Sequence, residues 1–250
     1  MNRSRRIIPS AMVTSERSIR FQFGTSIDQE TLHVIQQFCQ FIQHTNDPFL
    51  EEVVPSYQTV TVFYRKNLVK SQQIIEKLLA QWACAIDDEK PLTTRTIEIP
   101  VCYEPVFSED MMRVVNYTKL TREEIIAIHT STLFTVYLIG FLPGFPYLGE
   151  LSEALHVPRL DKPRLSVPQG SVGIGGTQTG IYPIESPGGW NIIGRTPLDL
   201  YSLHRPNPFL VRAGDQLVFH SISTEDFYQL RAQLKQNPEM TKQFVKEGLR

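Results

Sequence analysis

The chain has 250 residues, 41% of them hydrophobic and 20% charged, with a formal net charge of −1. These are the proportions of a globular protein with room for one large domain or two small ones, and the near-neutral charge offers no electrostatic footing for nucleic acid or an anionic membrane. The longest apolar stretch, near Leu133–Leu142, is interrupted by Thr135, Tyr137 and Gly140 and falls short of the ~20 residues that cross a bilayer. Arg3, Arg5 and Arg6 are followed by no apolar run, so a secretory signal is not expected. The three cysteines, Cys39, Cys84 and Cys102, are odd in number and show no CxxC, which fits reduced core thiols and a cytoplasmic location.

Residues 1–17 read as a loose arm. Ser18–Phe23 alternates Ile19, Phe21 and Phe23 on one face and reads as a strand ended by Gly24. Ser26 and Asp28 are candidate N-caps for a helix through about His44, with Leu32, Ile35, Phe38, Cys39 and Ile42 at helical spacing. Leu50–Val54 and Tyr57–Tyr64 read as strands, the second with Val60, Val62 and Tyr64 on one face. Ser71 is expected to cap a second helix bearing Ile74, Ile75, Leu78, Leu79 and Trp82. After a turn at Asp87–Pro91, Thr94–Tyr103 reads as a fourth strand. The order β-α-β-β-α-β predicts a ferredoxin-like α+β domain over residues 18–100.

Residues 101–250 read differently. A short helix starts at Ser108, and Thr121-Arg122-Glu123-Glu124 has the form of a capping box opening a helix through about His129. Strands are expected at Leu133–Ile139, Ser171–Ile174, Gly180–Ile184, Asn191–Gly194, Phe209–Val211 and Gln216–Ile222, with a turn at Gly214-Asp215. Short strands punctuated by turns suggest a barrel or sandwich. Thr224–Gln236 is a closing amphipathic helix with Phe227, Leu230 and Leu234 on one side, and a short charged helix ends the chain.

The 58 residues from Gly140 to Pro197 hold 11 of the 14 glycines and 8 of the 17 prolines, interleaved with Phe141, Phe145, Tyr147, Tyr182 and Trp190. Tight turns carrying aromatics are a common way to build a binding surface. Self-sufficient catalytic signatures are missing. There is no GxxxxGK[ST]; Gly173-Ile174-Gly175-Gly176 lacks the third glycine and the strand–helix context of a dinucleotide fingerprint; Gly170-Ser171-Val172-Gly173 is no nucleophile elbow; the six histidines show no metal spacing. No catalytic residue and no metal ligand is assigned.

What remains is a set of polar residues in and near this region. Arg195 follows Gly194 and is the one Arg or Lys between Arg164 and Arg205. It could pair bidentately with an anion, or it could stack on Trp190 or brace a loop. Gln178, Thr179, Arg164 and His129 are further pocket candidates, His129 having the alternative of interacting with a helix dipole. Gly173, Gly188 and Gly189 could expose backbone N–H groups to a ligand. Phe141, Phe145, Tyr147 and Trp190 are candidate partner anchors, with the barrel core as the alternative, and Phe145→Ala is expected to weaken a complex while leaving thermal stability nearly unchanged.

His129 with Tyr137, Gly140–Leu151 (GFLPGFPYLGEL), Pro158–Arg164, Val167–Trp190 and Ile193–Pro197 (IGRTP) resemble the family of the 5-oxoprolinase B subunit, also called the kinase-inhibitor or allophanate hydrolase subunit 1 family. The resemblance covers nearly the whole chain. It departs from the family pattern at Glu104–Asp110, where glycine-rich segments are usual, and at Thr14–Arg17, where a Leu-Gly-Asp is usual. It implies a small α+β domain followed by a cyclophilin-like β-barrel. It also implies two 5-oxoprolinase partners: a companion cyclophilin-like C subunit, and a third, the A subunit. ATP and Mg would be used at the level of the complex to open 5-oxoproline to glutamate. Other members suggest two alternatives: docking on a sensor histidine kinase to block its autophosphorylation, or forming half of a biotin-dependent carboxyltransferase-like assembly.

Overall fold

The computed structural model describes residues 7–25, 28–85, 93–149 and 151–249. The chain divides into two compact units, Met1–Lys90 and Pro91–Arg250, ahead of the boundary expected at residue 100.

The first unit runs β1 (Ser10–Ser15), β2 (Ser18–Gln22), α1 (Gln29–Thr45), β3 (Leu50–Pro55), β4 (Thr59–Tyr64) and α2 (Ser71–Cys84). Its sheet has the order β1-β2-β4-β3 with antiparallel pairs. Residues 10–15 are therefore not part of an arm. They form an edge strand whose mostly exposed side chains leave no alternation to read. Asp28 caps α1, its Oδ1 accepting from Thr31 N at 2.7 Å, while Ser26 lies outside the described residues. The expected α1 face is buried at Leu32, Ile35, Phe38 and Ile42. Lys70, not Ser71, occupies the N-cap of α2, and its amide donates to Gln73 Oε1 at 3.3 Å. Phe38 meets Trp82 edge-on, with ring centroids 5.1 Å apart. Cys39 is half-buried and burial pushes its thiol up to about 12, whereas Cys84 is exposed and not a core thiol.

The second unit contains β5 (Thr93–Val101), α3 (Met111–Thr118), α4 (Arg122–Ser131), β6 (Leu133–Ile139), β7 (Pro146–Leu148), β8 (Arg164–Val167), β9 (Ser171–Gly175), β10 (Gln178–Ile181), β11 (Ser186–Gly188), β12 (Asn191–Arg195), β13 (Gln216–Ser221), α5 (Thr224–Gln236) and β14 (Val245–Leu249). Strand β5 does not join the first sheet, so the expected ferredoxin-like order is not formed. It pairs parallel with β13 and antiparallel with β14. The period of two in β5 put Ile97, Ile99 and Val101 on one buried face, but alternation carries no information about the neighbouring strand.

The main sheet has the order β12-β9-β10-β7-β6-β13-β5-β14, and β8 pairs with β11 apart from it. It is not a closed barrel: β12 and β14 are its edges. A single bridge ties the end of β5 to β12, with Cys102 N donating to Arg195 O at 2.8 Å and Arg195 N donating to Cys102 O at 2.9 Å. Phe209 makes one bridge to Tyr201 in place of the expected strand. The chain end is a 3-10 turn over Pro238–Phe244 followed by β14, not a helix. Helix α3 begins after Asp110 rather than at Ser108. In the α4 capping box, Glu124 N donates to Thr121 Oγ1 at 3.2 Å and Thr121 N donates to Glu124 Oε2 at 2.7 Å. No helix among the described residues is long and apolar enough to cross a membrane.

Candidate functional site

The glycine- and proline-rich stretch wraps an aromatic cluster. Phe145, only 1% exposed, is its centre, with Trp190 (5% exposed) and Tyr182 packed on it. Phe145 meets Trp190 at 5.5 Å and 87°, and Tyr182 at 5.2 Å and 86°, the edge-to-face geometry that aromatic quadrupoles favour. Phe145 and Trp190 are thus core and not anchors for a partner. Tyr147 is half-buried at the rim. Phe141 is 63% exposed and sits at φ 67°, an uncommon conformation for a bulky residue.

The glycines serve this packing. A Cβ at Gly175 would lie 2.6 Å from the Trp190 ring, and one at Gly188 would lie 2.3 Å from the Tyr182 hydroxyl. Gly173 stands inside the sheet between Gly180 and Ile192. Gly189 accepts from Leu160 N at 2.7 Å. These positions make room for rings and ladders, contrary to the expectation that Gly173, Gly188 and Gly189 open a cradle of N–H groups.

His129 does not face a pocket. It is fully buried on α4, stacked 4.4 Å from Phe219. Thr179 Oγ1 donates to Gly173 O at 3.1 Å, so its lone pair is free to accept from His129 Nε2 at 3.0 Å. That leaves Nδ1 to accept from the Tyr103 hydroxyl at 2.8 Å. The relay Tyr103–His129–Thr179–Gly173 is complete, with every proton placed. Burial lowers the imidazole pKa to about 3 and raises that of Tyr103, so the ring is neutral at physiological pH.

Arg164 and Arg195 are braces. Arg164 Nη2 donates to Asp110 Oδ1 at 2.6 Å, and Asp110 Oδ2 accepts from Ile192 N at 2.7 Å. This joins β8, the start of α3 and β12. Arg195 Nε donates to Gln169 O at 2.7 Å, and its guanidinium lies 6.0 Å from the Phe107 ring centroid. Burial and the charge of Arg231 lower its pKa. Thr179 turns inward onto His129 while Arg195 turns onto Gln169 and Phe107, so the structure does not gather them into one pocket. Gln178 is half-buried at the start of β10, opposite Gly175.

The group that sequence reasoning passed over is Arg159. Its guanidinium lies 5.6 Å from the Trp190 ring centroid and has no carboxylate partner among the described residues. Burial raises the phenol pKa of both Tyr147 and Tyr182, and the charge of Arg159 pulls both back. The Trp190 backbone also acts to lower the Tyr182 phenol pKa. An unpaired cation on an aromatic face, beside two phenols, can receive a carboxylate or a polarised carbonyl. Its one sequence signal was its place in Pro158-Arg159-Leu160.

These residues do not build a site for ATP with Mg. Among the described residues no group of three or more His, Cys, Asp or Glu is placed to hold a metal ion. The glycine-rich turns lead into strands rather than a helix N-terminus, where phosphates are usually cradled. No step in this chain is therefore routed through the nucleotide.

The family model of the carboxyltransferase domain, subdomain C and D, matches residues 9–211. The 5-oxoprolinase B subunit of Bacillus subtilis (strain 168) is 35% identical over 222 residues, covering 85% of this chain and 92% of that protein. The 5-oxoprolinase B subunit of Escherichia coli O157:H7 is 42% identical over 174 residues, covering 69% and 78%. The chain belongs to this family of 5-oxoprolinase B subunits. The solved structure of TTHA0988 superposes with a TM-score of 0.73 at 32% identity, covering 83% of this chain, which spans 40% of the TTHA0988 chain.

Proposed function

We propose that this chain is a subunit of a 5-oxoprolinase, the ATP-dependent hydrolase that opens the cyclic amide of 5-oxoproline to L-glutamate, working with the companion C and A subunits. The observation that carries the reading is identity to the 5-oxoprolinase B subunit over most of both chains. The amide is a poor electrophile, and ATP can activate it as a phosphorylated intermediate. ATP and Mg act at the level of the complex. In this reading the second unit is the family's cyclophilin-like barrel, left open here, with the Cys102–Arg195 bridge as its one tie between the end of β5 and the edge strand β12. Phe141 is a contact for a companion subunit. No observation favours the kinase-docking or biotin-dependent alternatives.

The ligand-facing groups in this reading are Arg159 and Tyr147. Arg159 pairs with the substrate carboxylate and the Tyr147 phenol orients the ring. The chain supplies binding groups and not a complete catalytic centre, because its buried histidine is locked in a satisfied relay and it carries no nucleophile motif. The chain alone therefore forms little or no glutamate. The test is ATP-dependent glutamate formation from 5-oxoproline by the purified chain and by its complex reconstituted with both companions. The complex is expected to be active and the chain inactive. Steady turnover by the chain alone refutes the division of labour, and an inactive, well-assembled complex refutes the function.

A further inference from the structure

Arg159 sits in a stretch, residues 157–160, that forms no helix or strand of its own. Hydrogen bonds hold it nonetheless. Gly176 N donates to Val157 O at 2.8 Å, and Leu160 N donates to Gly189 O at 2.7 Å. A further bond comes from a side chain: Asn191 Nδ2 donates to Pro158 O at 3.0 Å. Gly189 and Asn191 flank Trp190, the ring against which the Arg159 guanidinium lies. The peptide groups on either side of Arg159 are therefore tied to the residues on either side of the tryptophan.

Asn191 is fully buried on β12. Its Nδ2 also donates to Ile174 O, at 3.1 Å, and its Oδ1 accepts from Arg113 Nε of α3 at 2.8 Å. Both amide hydrogens are used, and the acceptor faces a charged donor, so one orientation of the amide satisfies all three partners. An aspartate would have the same shape and no donor. It would set its oxygens against the carbonyls of Pro158 and Ile174.

We propose that Asn191 is a positioning residue for the ligand site: it ties the Arg159 segment down beside Trp190 and so aims the guanidinium at the substrate carboxylate. The proposal rests on the reading of Arg159 as the group that receives that carboxylate. A protein carboxylate could also hold an arginine in place, as Asp110 holds Arg164, but it would compete with the ligand for the same N–H groups. Fixing Arg159 through its backbone leaves the guanidinium open and removes main-chain freedom before the ligand arrives, which lowers the ordering cost of binding.

The experiment compares wild type, Asn191→Asp, Arg159→Ala and the double variant in two ways. In limited trypsin digestion of the full chain, Asn191→Asp is expected to speed cleavage after Arg159 about tenfold while cleavage after Arg231 in α5 keeps its wild-type rate, which separates local release from general unfolding. In the complex reconstituted with both companions, Asn191→Asp is expected to raise KM for 5-oxoproline about tenfold with kcat little changed. In the Arg159→Ala background the same substitution adds less than about twofold, because the residue it positions is gone. Arg113→Ala alters an exposed residue and is expected to give a smaller rise with the same non-additivity; it decides the matter if Asn191→Asp does not fold. Impaired Arg159→Ala beside wild-type KM in the Asn191 and Arg113 variants, or an Asn191→Asp effect that persists in full without Arg159, overturns the positioning role alone. Wild-type kinetics in Arg159→Ala overturn the reading of the ligand site, and the proposal with it.

Discussion

His129 and Arg159 both stand among aromatic rings in the second unit, and both belong to residue types that carry chemistry. His129 is sealed: each ring nitrogen has one partner, and the relay ends on a backbone carbonyl. Arg159 is exposed, lies over Trp190 and has no carboxylate partner among the described residues. A polar group whose bonding capacity is satisfied internally stabilises the fold, and one whose capacity is unspent at a rim can bind something else. Arg164 and Arg195, held by Asp110 and Gln169, brace the fold as His129 does, although Arg164 Nη1 is buried without a partner.

The sealed side is tested first, because the largest effects are expected there. Phe145→Ala removes the ring on which Trp190 and Tyr182 pack, and is expected to cost about 3–5 kcal/mol of unfolding free energy, read by urea denaturation. A loss below about 1 kcal/mol would return Phe145 to the surface.

His129→Leu is expected to cost roughly 1–3 kcal/mol, because the hydroxyls of Tyr103 and Thr179 lose partners inside the core. The same residue sets a pH dependence. Its pKa is about 3 when folded against an ordinary value of 6.5, so below 6.5 the unfolded chain binds the proton and the folded chain does not. Stability from this group is complete above 6.5 and falls by about 1.4 kcal/mol per pH unit towards pH 3. Between pH 6.5 and 5 the carboxylates at Glu16, Glu98 and Glu124, held low by their partners, add little to the slope. Denaturation curves over that window should slope in wild type and be flat in His129→Leu. Equal slopes would show that the ring is open to solvent.

On the open side, Arg159→Ala is expected to leave the unfolding midpoint nearly unchanged and to lower kcat/KM of the assembled complex on the order of tenfold to hundredfold. Arg159→Lys keeps the charge without the planar fork and should recover part of it. Wild-type kinetics in both would remove Arg159 from the ligand site. Among the aromatic residues the smallest stability effect is expected at Phe141: Phe141→Ala should cost less than about 1 kcal/mol, since one edge-to-face contact with Phe145 is what the ring gives up. Set against Phe145→Ala, this pair of measurements separates the exposed aromatic from the buried one.

What the sequence by itself determined was local. The apolar spacing of Leu32, Ile35, Phe38 and Ile42 produced the buried face of α1, the reciprocal bonds of Thr121 and Glu124 opened α4, and Ile19 and Phe21 alternated into the core as read. These features depend on the angle between successive side chains along one element, and a chain carries that angle with it. Strand partnership is different. Nothing in Thr93–Val101 says that it lies between β13 and β14, nothing in Ser10–Ser15 says that it pairs at all, and the charged end became β14 because β5 offered it an edge. The same holds for the site. Glycines that looked like ligand cradles are the space required by Trp190 and Tyr182, and whether an arginine binds or braces depends on which acceptors the fold brings to it. Tertiary structure decided these points because hydrogen-bond partners and burial are set by residues far apart in the chain, which no local period records.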